Sequence, residues 1–252
     1  METSVLSRSR KPAGNTATTW LKIIALVFMF IDHAGKMCFP AVPEMRILGR
    51  IAFPIYTWCM IVGFHYTRSV PKYLLRVFTI GLISQPLYMA ALNHTWKEPN
   101  IFLTLLLGLC ALWGIREKKY GSQFILPAAA LILAIVLKAD YGWKGVLLFI
   151  LLYAVRDSRP GIAAAMVAFF MYWGSGYGIT RNLFGYGISL DKLPDFISQL
   201  ISPFLRLQTY ALLSLPFILI PFRKDLHIPR WVGYLLYPAH LVLLYVLEII
   251  TK

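Results

Sequence analysis

The stretch IALVFMFIDHAGKMCFP (24–40) begins as an apolar helix and then places three ionisable side chains where a membrane helix would continue. A helix needs about 20 apolar residues to cross a hydrocarbon core about 30 Å thick. Counted from Trp20, Asp32 lies roughly 18 Å along such a helix, just beyond the membrane centre. A charge there is costly unless it faces the protein interior and is paired. The stretch therefore predicts a membrane protein with a polar interior.

The composition of the 252-residue chain also indicates a membrane protein. Hydrophobic residues make up 58% and charged residues 14%, against roughly 25% charged residues in an average soluble domain. The mean hydropathy is +0.65. We predict an all-α polytopic membrane protein with a polar cytoplasmic tail at 1–19 and a single transmembrane domain at 20–252.

Apolar runs predict about nine transmembrane helices around a central polar cavity. The fourth to seventh runs are short, which also fits tilted or re-entrant segments. The predicted spans are 20–39, 46–66, 73–92, 100–115, 122–138, 142–155, 160–177, 197–221 and 231–250.

Lysine and arginine residues predict the orientation, because basic loops stay on the cytoplasmic side. Alternate loops are rich in these residues, which places the N-terminus inside and the C-terminus outside the cytoplasmic membrane. The same distribution accounts for the net charge of +14, so nucleic-acid binding is not expected. Cys38, Cys59 and Cys110 form no C-x-x-C pair, so the sequence indicates neither a disulfide framework nor a metal site.

Asp32 and His33 need separate partners, because adjacent residues lie about 100° apart around a helix. Asp32 has two candidates: Lys36, four residues later on the same helix face, and Arg50, which the second span places at a similar depth. Arg50 has the alternative of snorkelling outward to water. Gly49 would allow the two helices to approach closely.

Polar residues of other predicted spans reach the same middle layer. One buried histidine is more often a satisfied core group than a catalyst, but several ionisable groups at overlapping depths predict a polar cavity. The additional members of this layer are Ser84, Gln85, Arg206, Gln208 and His240.

Such a cavity would hold the groups that acyl transfer requires. A neutral imidazole can accept an acyl group or remove a proton from an attacking amine or hydroxyl. An arginine or a second histidine can stabilise the oxyanion. The same groups also suit a proton-coupled secondary transporter, and a non-enzymatic membrane assembly protein is a third alternative. The residues alone leave these classes open.

Six segments, taken in chain order, resemble the TraX family of conjugation and pilus-associated membrane proteins. The pieces IDH, GRIAFP and YPAHL are the most specific. A more distant similarity extends to membrane acyltransferases such as the lysosomal heparan glucosaminide acetyltransferase. The segments are LKIIALVFMFIDHAGKMCFP (21–40), RILGRIAFPIY (46–56), GFHYTRSVPKYLLR (63–76), NIFLTLLLGL (100–109), DYGWKGVLL (140–148) and YPAHLVLLYV (237–246).

The resemblance implies acetylation with acetyl-coenzyme A as the co-substrate. The donor would enter from the cytoplasm, and the acyl group would emerge outside on an amine or hydroxyl of a pilin-like peptide or a glycan. His33 would be the acyl carrier or general base, and His240 a second acid/base group or an oxyanion donor. Asp32 would support His33 electrostatically or anchor Arg50.

Basic residues near the donor's entrance would contact the phosphates of coenzyme A. Membrane topology alone also explains each of these cations. His65 and His94 are expected to be incidental. The predicted donor contacts are Lys22, Arg68, Lys72, Arg76, Arg206, Gln208, Arg223 and Lys224.

Overall fold

A computed structural model describes residues 11–190, 193–222, 225–226 and 230–251. Helices dominate these residues. The two short strands Asn182–Leu183 (β1) and Tyr186–Gly187 (β2) pair in antiparallel fashion. The predicted helical architecture is confirmed apart from this hairpin. Predictions for residues 1–10, Arg223 and Lys224 lie outside the described residues.

Each predicted span except 197–221 corresponds to one helix or to two consecutive helices. Short 3-10 helices occupy Ser202–Leu205 and Leu207–Ser214. The helices are α1 (Thr18–Met37), α2 (Pro43–Gly49), α3 (Ala52–Tyr66), α4 (Val70–Leu92), α5 (Ile101–Glu117), α6 (Ser122–Val136), α7 (Gly142–Ala154), α8 (Arg159–Gly174), α9 (Asp195–Ile201), α10 (Leu215–Leu219) and α11 (Arg230–Thr251).

Three segments of the described chain are long and apolar enough to cross a membrane: Thr18–Met37, Pro43–Tyr66 and Val70–Leu92. Several apolar helices thus indicate a membrane protein, whereas the nine predicted spans are not confirmed. Shorter apolar helical segments are Ser122–Val136, Gly142–Ala154, Leu207–Leu219 and Leu235–Leu247.

The segment 197–221 is not one continuous helix, contrary to the predicted eighth span. It consists of α9, the two 3-10 helices and α10. Pro203 and Pro216 each stand in the first turn of a new element, where the missing N–H is tolerated. Arg206 has extended backbone and forms an isolated β-bridge with Ile179, which interrupts the helical path.

α2 and α3 follow one another with a break at Arg50 and Ile51. Pro54 has no N–H to donate to the carbonyl of Arg50, four residues earlier, so the α-helical ladder is interrupted there. On the other side of the break, Arg50 N donates to Ile47 O, three residues earlier, at 3.1 Å, so the last turn of α2 is a tighter 3-10 turn. The break therefore follows from the proline.

The segment formed by α2 and α3 is the central one. In its membrane-length window 78% of residues are buried, against 33% in α1 and in α4. The largest core cluster packs around it, with Trp58 and Phe64 of α3 fully buried alongside Phe149 of α7 and Phe170 of α8. α1 and α4 lie further out and leave more of their apolar surface exposed.

Several segments predicted to be cytoplasmic meet at one end of the helices. Ala13 N donates to Arg156 O at 2.7 Å, and Arg159 Nε donates to Ala13 O at 2.9 Å. Arg116 Nη1 donates to Phe64 O at 3.3 Å. We call this the basic end, comprising residues 11–19, 64–72, 116–119 and 156–159, and the end that carries loops 38–42, 93–99 and 137–141 the opposite end. Which side of the membrane each end faces stays a prediction.

The segment before α1 is packed into the basic end. Asn15 is fully buried: its Oδ1 accepts from Ala17 N at 3.0 Å, and its Nδ2 donates to Phe217 O at 3.1 Å. Trp58 Nε1 donates to Asn15 O at 2.7 Å. The Asp225 carboxylate accepts from Thr19 N at 3.2 Å, where the free amides of a helix N-terminus attract negative charge. These contacts fix the start of α1.

Candidate functional site

Asp32 on α1 is held by two arginines of the neighbouring segment. Arg50 Nη2 donates to Asp32 Oδ1 at 2.8 Å and to Oδ2 at 3.1 Å. Arg46 Nη1 lies 2.9 Å from Oδ2 and also donates to the main-chain oxygen of Asp32 at 3.2 Å. Asp32 is buried, so these charge-assisted bonds offset the cost of desolvating its carboxylate. The predicted contact with Arg50 is present.

Two glycines allow α1 and α2 to approach each other. A Cβ at Gly49 of α2 would lie 2.1 Å from Asp32 Oδ1. A Cβ at Gly35 of α1 would lie 2.6 Å from the Cβ of Met45. Since real Cβ atoms do not approach other heavy atoms this closely, larger residues at either position would separate the helices and disturb the ion cluster.

Lys36, the alternative partner considered for Asp32, contacts the loop after α4 instead. Its Nζ lies 3.3 Å from His94 Nε2, just beyond the end of α4. His94 Nδ1 lies 3.3 Å from Glu98 Oε1, and the His94 ring stacks on Tyr88 with centroids 4.9 Å apart. An Nδ1–H tautomer of His94 satisfies both polar contacts. His94, expected to be incidental, thus joins α1 to the loop after α4.

His33 and His240 come together from α1 and α11. Their rings stack with centroids 5.7 Å apart and planes 14° apart. His33 Nδ1 is buried and makes no hydrogen bond within the described chain, although buried polar atoms usually have a partner. The buried ring of His240 lies close to the backbone of Leu236 and Tyr237. His33 therefore has a ring nitrogen that a reacting group could use, with a second imidazole stacked beside it.

A cavity of about 1390 Å³ runs from the basic end toward this histidine pair. It exceeds the roughly 300–1,000 Å³ of pockets for drug-sized ligands. Its walls come from α1, α3, α4, α5 and α11, together with the segments that begin α1 and join α3 to α4. The basic wall residues are Lys22, Arg68, Lys72 and Arg76, and the wall nearest the histidines contains Met29, Ile101, Phe102 and Tyr237.

Two of the predicted donor contacts lie elsewhere. Arg206 Nη1 donates to Tyr177 O at 3.2 Å and to Ser175 O, beside the C-terminal end of α8. Gln208 is buried in the neighbouring 3-10 helix. Neither residue lines the cavity, whereas Lys22, Lys72 and Arg76 all do. The structure thus separates the predicted set into two groups.

Sequence reasoning missed Arg46 and Tyr237. The predicted second span only begins at Arg46, so this residue was taken for a cation at the outer edge of the membrane. Its four-residue spacing from Arg50 puts both on one face once a helix begins at Pro43. Tyr237 lies one turn before His240 and packs its ring 4.8 Å from that imidazole. Its position in an apolar helix gave no signal of this contact.

Asp140, in the connection between α6 and α7, is a further neighbour of the cluster. Its side chain is exposed, and it interacts electrostatically with Arg50, His94 and Lys36. The hydropathy pattern places it in a loop and does not connect it with residues more than forty positions earlier in the chain.

An assembly of apolar helices that encloses paired charges, two imidazoles and a deep cavity defines a membrane protein with an internal polar site. Residues 17–248 match the family described as TraX protein. The chain belongs to the TraX family, as its ordered motifs indicated.

Two relatives match part of the chain. An uncharacterized protein of Rickettsia prowazekii (strain Madrid E) is 34% identical over 97 residues, which cover 38% of this chain and 37% of that protein. A probable fimbrial assembly protein, FimC of serogroup H1, from Dichelobacter nodosus is 30% identical over 106 residues, which cover 36% of this chain and 43% of that protein. The matched segments span less than half of either relative. No solved structure matches the chain.

Proposed function

We propose that this protein is a membrane acetyltransferase that moves an acetyl group from acetyl-coenzyme A to an amine or hydroxyl acceptor at the opposite end of the molecule. The observation that carries the proposal is the stacked pair of His33 and His240. The pair lies just beyond the apolar wall of a large cavity that is lined by cations at the basic end.

The basic end of the cavity suits the charged part of the donor. Lys22, Arg68, Lys72 and Arg76 line it, and coenzyme A carries several phosphate charges that lysine and arginine bind well. The cavity becomes apolar toward Met29, Phe102 and Tyr237. The nucleotide would lie among the cations with the thioester pointing toward the histidines.

The histidine pair supplies the chemistry. On the direct route the acceptor nitrogen or oxygen attacks the thioester carbonyl carbon while its proton moves to a neutral imidazole. The C–S bond then breaks, and the leaving thiolate takes up that proton as free coenzyme A. On the covalent route an imidazole nitrogen attacks the carbonyl carbon, the C–S bond breaks, and the leaving thiolate takes the ring N–H proton to become free coenzyme A. The acceptor then attacks the acetyl-imidazole, the N–C bond breaks, and the acceptor's proton restores the neutral imidazole. The second imidazole, in its neutral form, donates a hydrogen bond from its ring N–H to the oxyanion.

The ion cluster positions the helix that carries His33. Asp32 is occupied by Arg46 and Arg50, so its part in the proposal is to anchor those arginines rather than to orient the imidazole. It fixes α1 against α2 one residue away from His33. Arg50 and Asp32 are thus positioning residues.

The acceptor would be presented at the opposite end. The Dichelobacter nodosus relative is named a probable fimbrial assembly protein, which supports a pilin-like amino terminus as acceptor. A cell-surface glycan hydroxyl is compatible with the same transfer.

Purified protein in lipid nanodiscs tests the proposal. Acetyl-coenzyme A labelled in its acetyl group is supplied with a short peptide that has a free amino terminus or, in a parallel reaction, with glucosamine. We expect release of coenzyme A thiol and label in one acceptor. His33→Ala and His240→Ala should each lower turnover by about 100-fold or more, as loss of an acid/base group does. His65→Ala, a histidine of α3 outside the pair, is the matched control.

Three results would contradict the proposal. Absence of both donor binding and thiol release would exclude a transferase that uses this donor. Full activity of the double variant His33→Ala, His240→Ala would remove the chemistry from the pair. Proton-driven solute flux into vesicles without any donor would favour a transporter instead.

A further inference from the structure

Four rings form a continuous chain from the cavity to the histidine pair. Phe102 and Tyr237 meet edge to face with centroids 4.7 Å apart. Tyr237 meets His240 at 4.8 Å, and His240 stacks on His33 at 5.7 Å. Phe102 and Tyr237 line the cavity, but neither imidazole does. The chain of rings therefore crosses the wall that ends the cavity.

This wall stands one helical turn before each histidine. Met29 precedes His33 by four residues on α1, which corresponds to roughly 6 Å along the helix axis, and Tyr237 precedes His240 by three residues on α11, which corresponds to roughly 4.5 Å. Tyr237 is only 5% exposed and packs within the apolar cluster formed by α1, α4 and α11. Its ring thus occupies part of the space between the cavity and the imidazoles.

We propose that Tyr237 sets the length of the acyl group that this protein transfers and restricts the donor to short-chain acyl thioesters. The inference rests on the proposed acyltransferase function. When the thioester carbonyl reaches the imidazoles, the acyl chain has to lie beside the Tyr237 ring, which is 4.8 Å from the ring of His240. An acetyl group adds one methyl carbon beyond the carbonyl, whereas a longer chain needs the volume that the ring fills.

The acyl preference of three proteins tests this inference: wild type, Tyr237→Ala and Tyr237→Phe. The measurement is kcat/KM for acetyl-, butanoyl- and octanoyl-coenzyme A in nanodiscs. We expect Tyr237→Ala to raise the octanoyl-to-acetyl ratio by about 10-fold or more, the size of effect that steric differences in a pocket produce. Tyr237→Phe keeps the ring and should keep the ratio. Tyr66→Ala removes a ring that lines the cavity at the basic end and should leave the ratio unchanged.

A labelling experiment measures, without catalysis, how far the Tyr237 ring limits access from the cavity to position 240. His240→Cys is introduced into protein that also carries Cys38→Ser, Cys59→Ser and Cys110→Ser, which removes the chain's other cysteines. A polar maleimide is then added at the basic end. Additional replacement of Tyr237 by Ala should raise the labelling rate by about 10-fold or more, whereas replacement by Phe should not.

The outcomes separate the inference from the proposed function. If wild-type protein transfers acetyl groups but Tyr237→Ala changes neither the acyl preference nor the labelling rate, the inference is wrong and the transferase stands. If no protein turns over any thioester, the transferase proposal fails. Faster labelling of the Tyr237→Ala variant would then show only that the Tyr237 ring restricts access to the histidine pair, and the inference about acyl length would fall with the transferase.

Discussion

Arg50 Nη2 donates hydrogen bonds to both carboxylate oxygens of Asp32, at 2.8 and 3.1 Å, and so ties α1 to the end of α2. Arg46 completes the cluster from the preceding turn of α2. The ion pairs and the glycine contact at Gly49 occupy the same small region. The interface is therefore sensitive to charge and to volume, and each can be tested separately.

Replacing Asp32 by Asn should destabilise the protein strongly. The change leaves Arg46 and Arg50 without their counter-ion, and breaking a buried pair by removing one partner costs about 3–5 kcal/mol. The unfolding midpoint in detergent measures the loss. Glu117→Gln, at the exposed C-terminal end of α5, neutralises a carboxylate outside the cluster and should leave the midpoint nearly unchanged. Equal stability of the two variants would contradict the assigned role of the cluster.

Gly49→Ala should also destabilise the protein, without removing any charge. The added Cβ would lie 2.1 Å from Asp32 Oδ1, and relieving such an overlap costs about 1–3 kcal/mol. Thermal unfolding compares this variant with Gly178→Ala, because a Cβ at Gly178 would meet no atom within 4 Å. A shift of similar size in both variants would show that helix approach at Gly49 is not responsible.

Asn15→Ala should lower the free energy of unfolding by about 1–3 kcal/mol, since it removes the partners of Ala17 N and Phe217 O. Thr16→Ala, at the exposed neighbouring position, is the control. Chemical unfolding in detergent followed by Trp fluorescence gives the difference. Identical curves for the two variants would argue against a structural role for the segment before α1.

The loop after α4 should lose order at acidic pH. Hydrogen bonds from Thr95 N and Thr95 Oγ, and then the contact with His94, hold the pKa of Glu98 below its ordinary value. A carboxylate with a lowered folded-state pKa stabilises the fold above its unfolded-state pKa and loses this contribution as pH falls through the folded-state pKa. Hydrogen exchange at Thr95 should be faster in Glu98→Gln than in wild type at neutral pH, with the difference disappearing at acidic pH. A difference that persists there would refute the assignment to Glu98.

The sequence identified Arg50 as one of two candidate partners of Asp32, because helix rise placed both residues at a similar depth. Its choice between Lys36 and Arg50 needed three-dimensional information: Lys36 reaches His94 only because the chain turns at Asn93, which has a positive φ of 54°. Lys22, Lys72 and Arg76 were predicted as cations of one face and do line one cavity.

Other features depend on packing that hydropathy does not encode. A hydropathy window treats 197–221 as one apolar run, but the elements that begin at Pro203 and Pro216, together with the bridge at Arg206, divide it. Arg206 and Gln208 were grouped with the donor contacts because depth along a straight helix was assumed. Tyr237 is indistinguishable in sequence from other aromatics of the apolar helices, so its place between cavity and imidazole emerges only when α5 and α11 are packed together.

Asn15 forms hydrogen bonds with residues that are synthesised much later than Asn15 itself. Its side-chain amide binds Phe217 O, 202 residues later in the chain, and its oxygen accepts from Phe222 N. During synthesis the first helix enters the bilayer long before these partners exist. The basic end therefore closes only after the chain has passed residue 222, and a nascent protein stalled earlier would leave Asn15 to water, lipid headgroups or the insertion machinery.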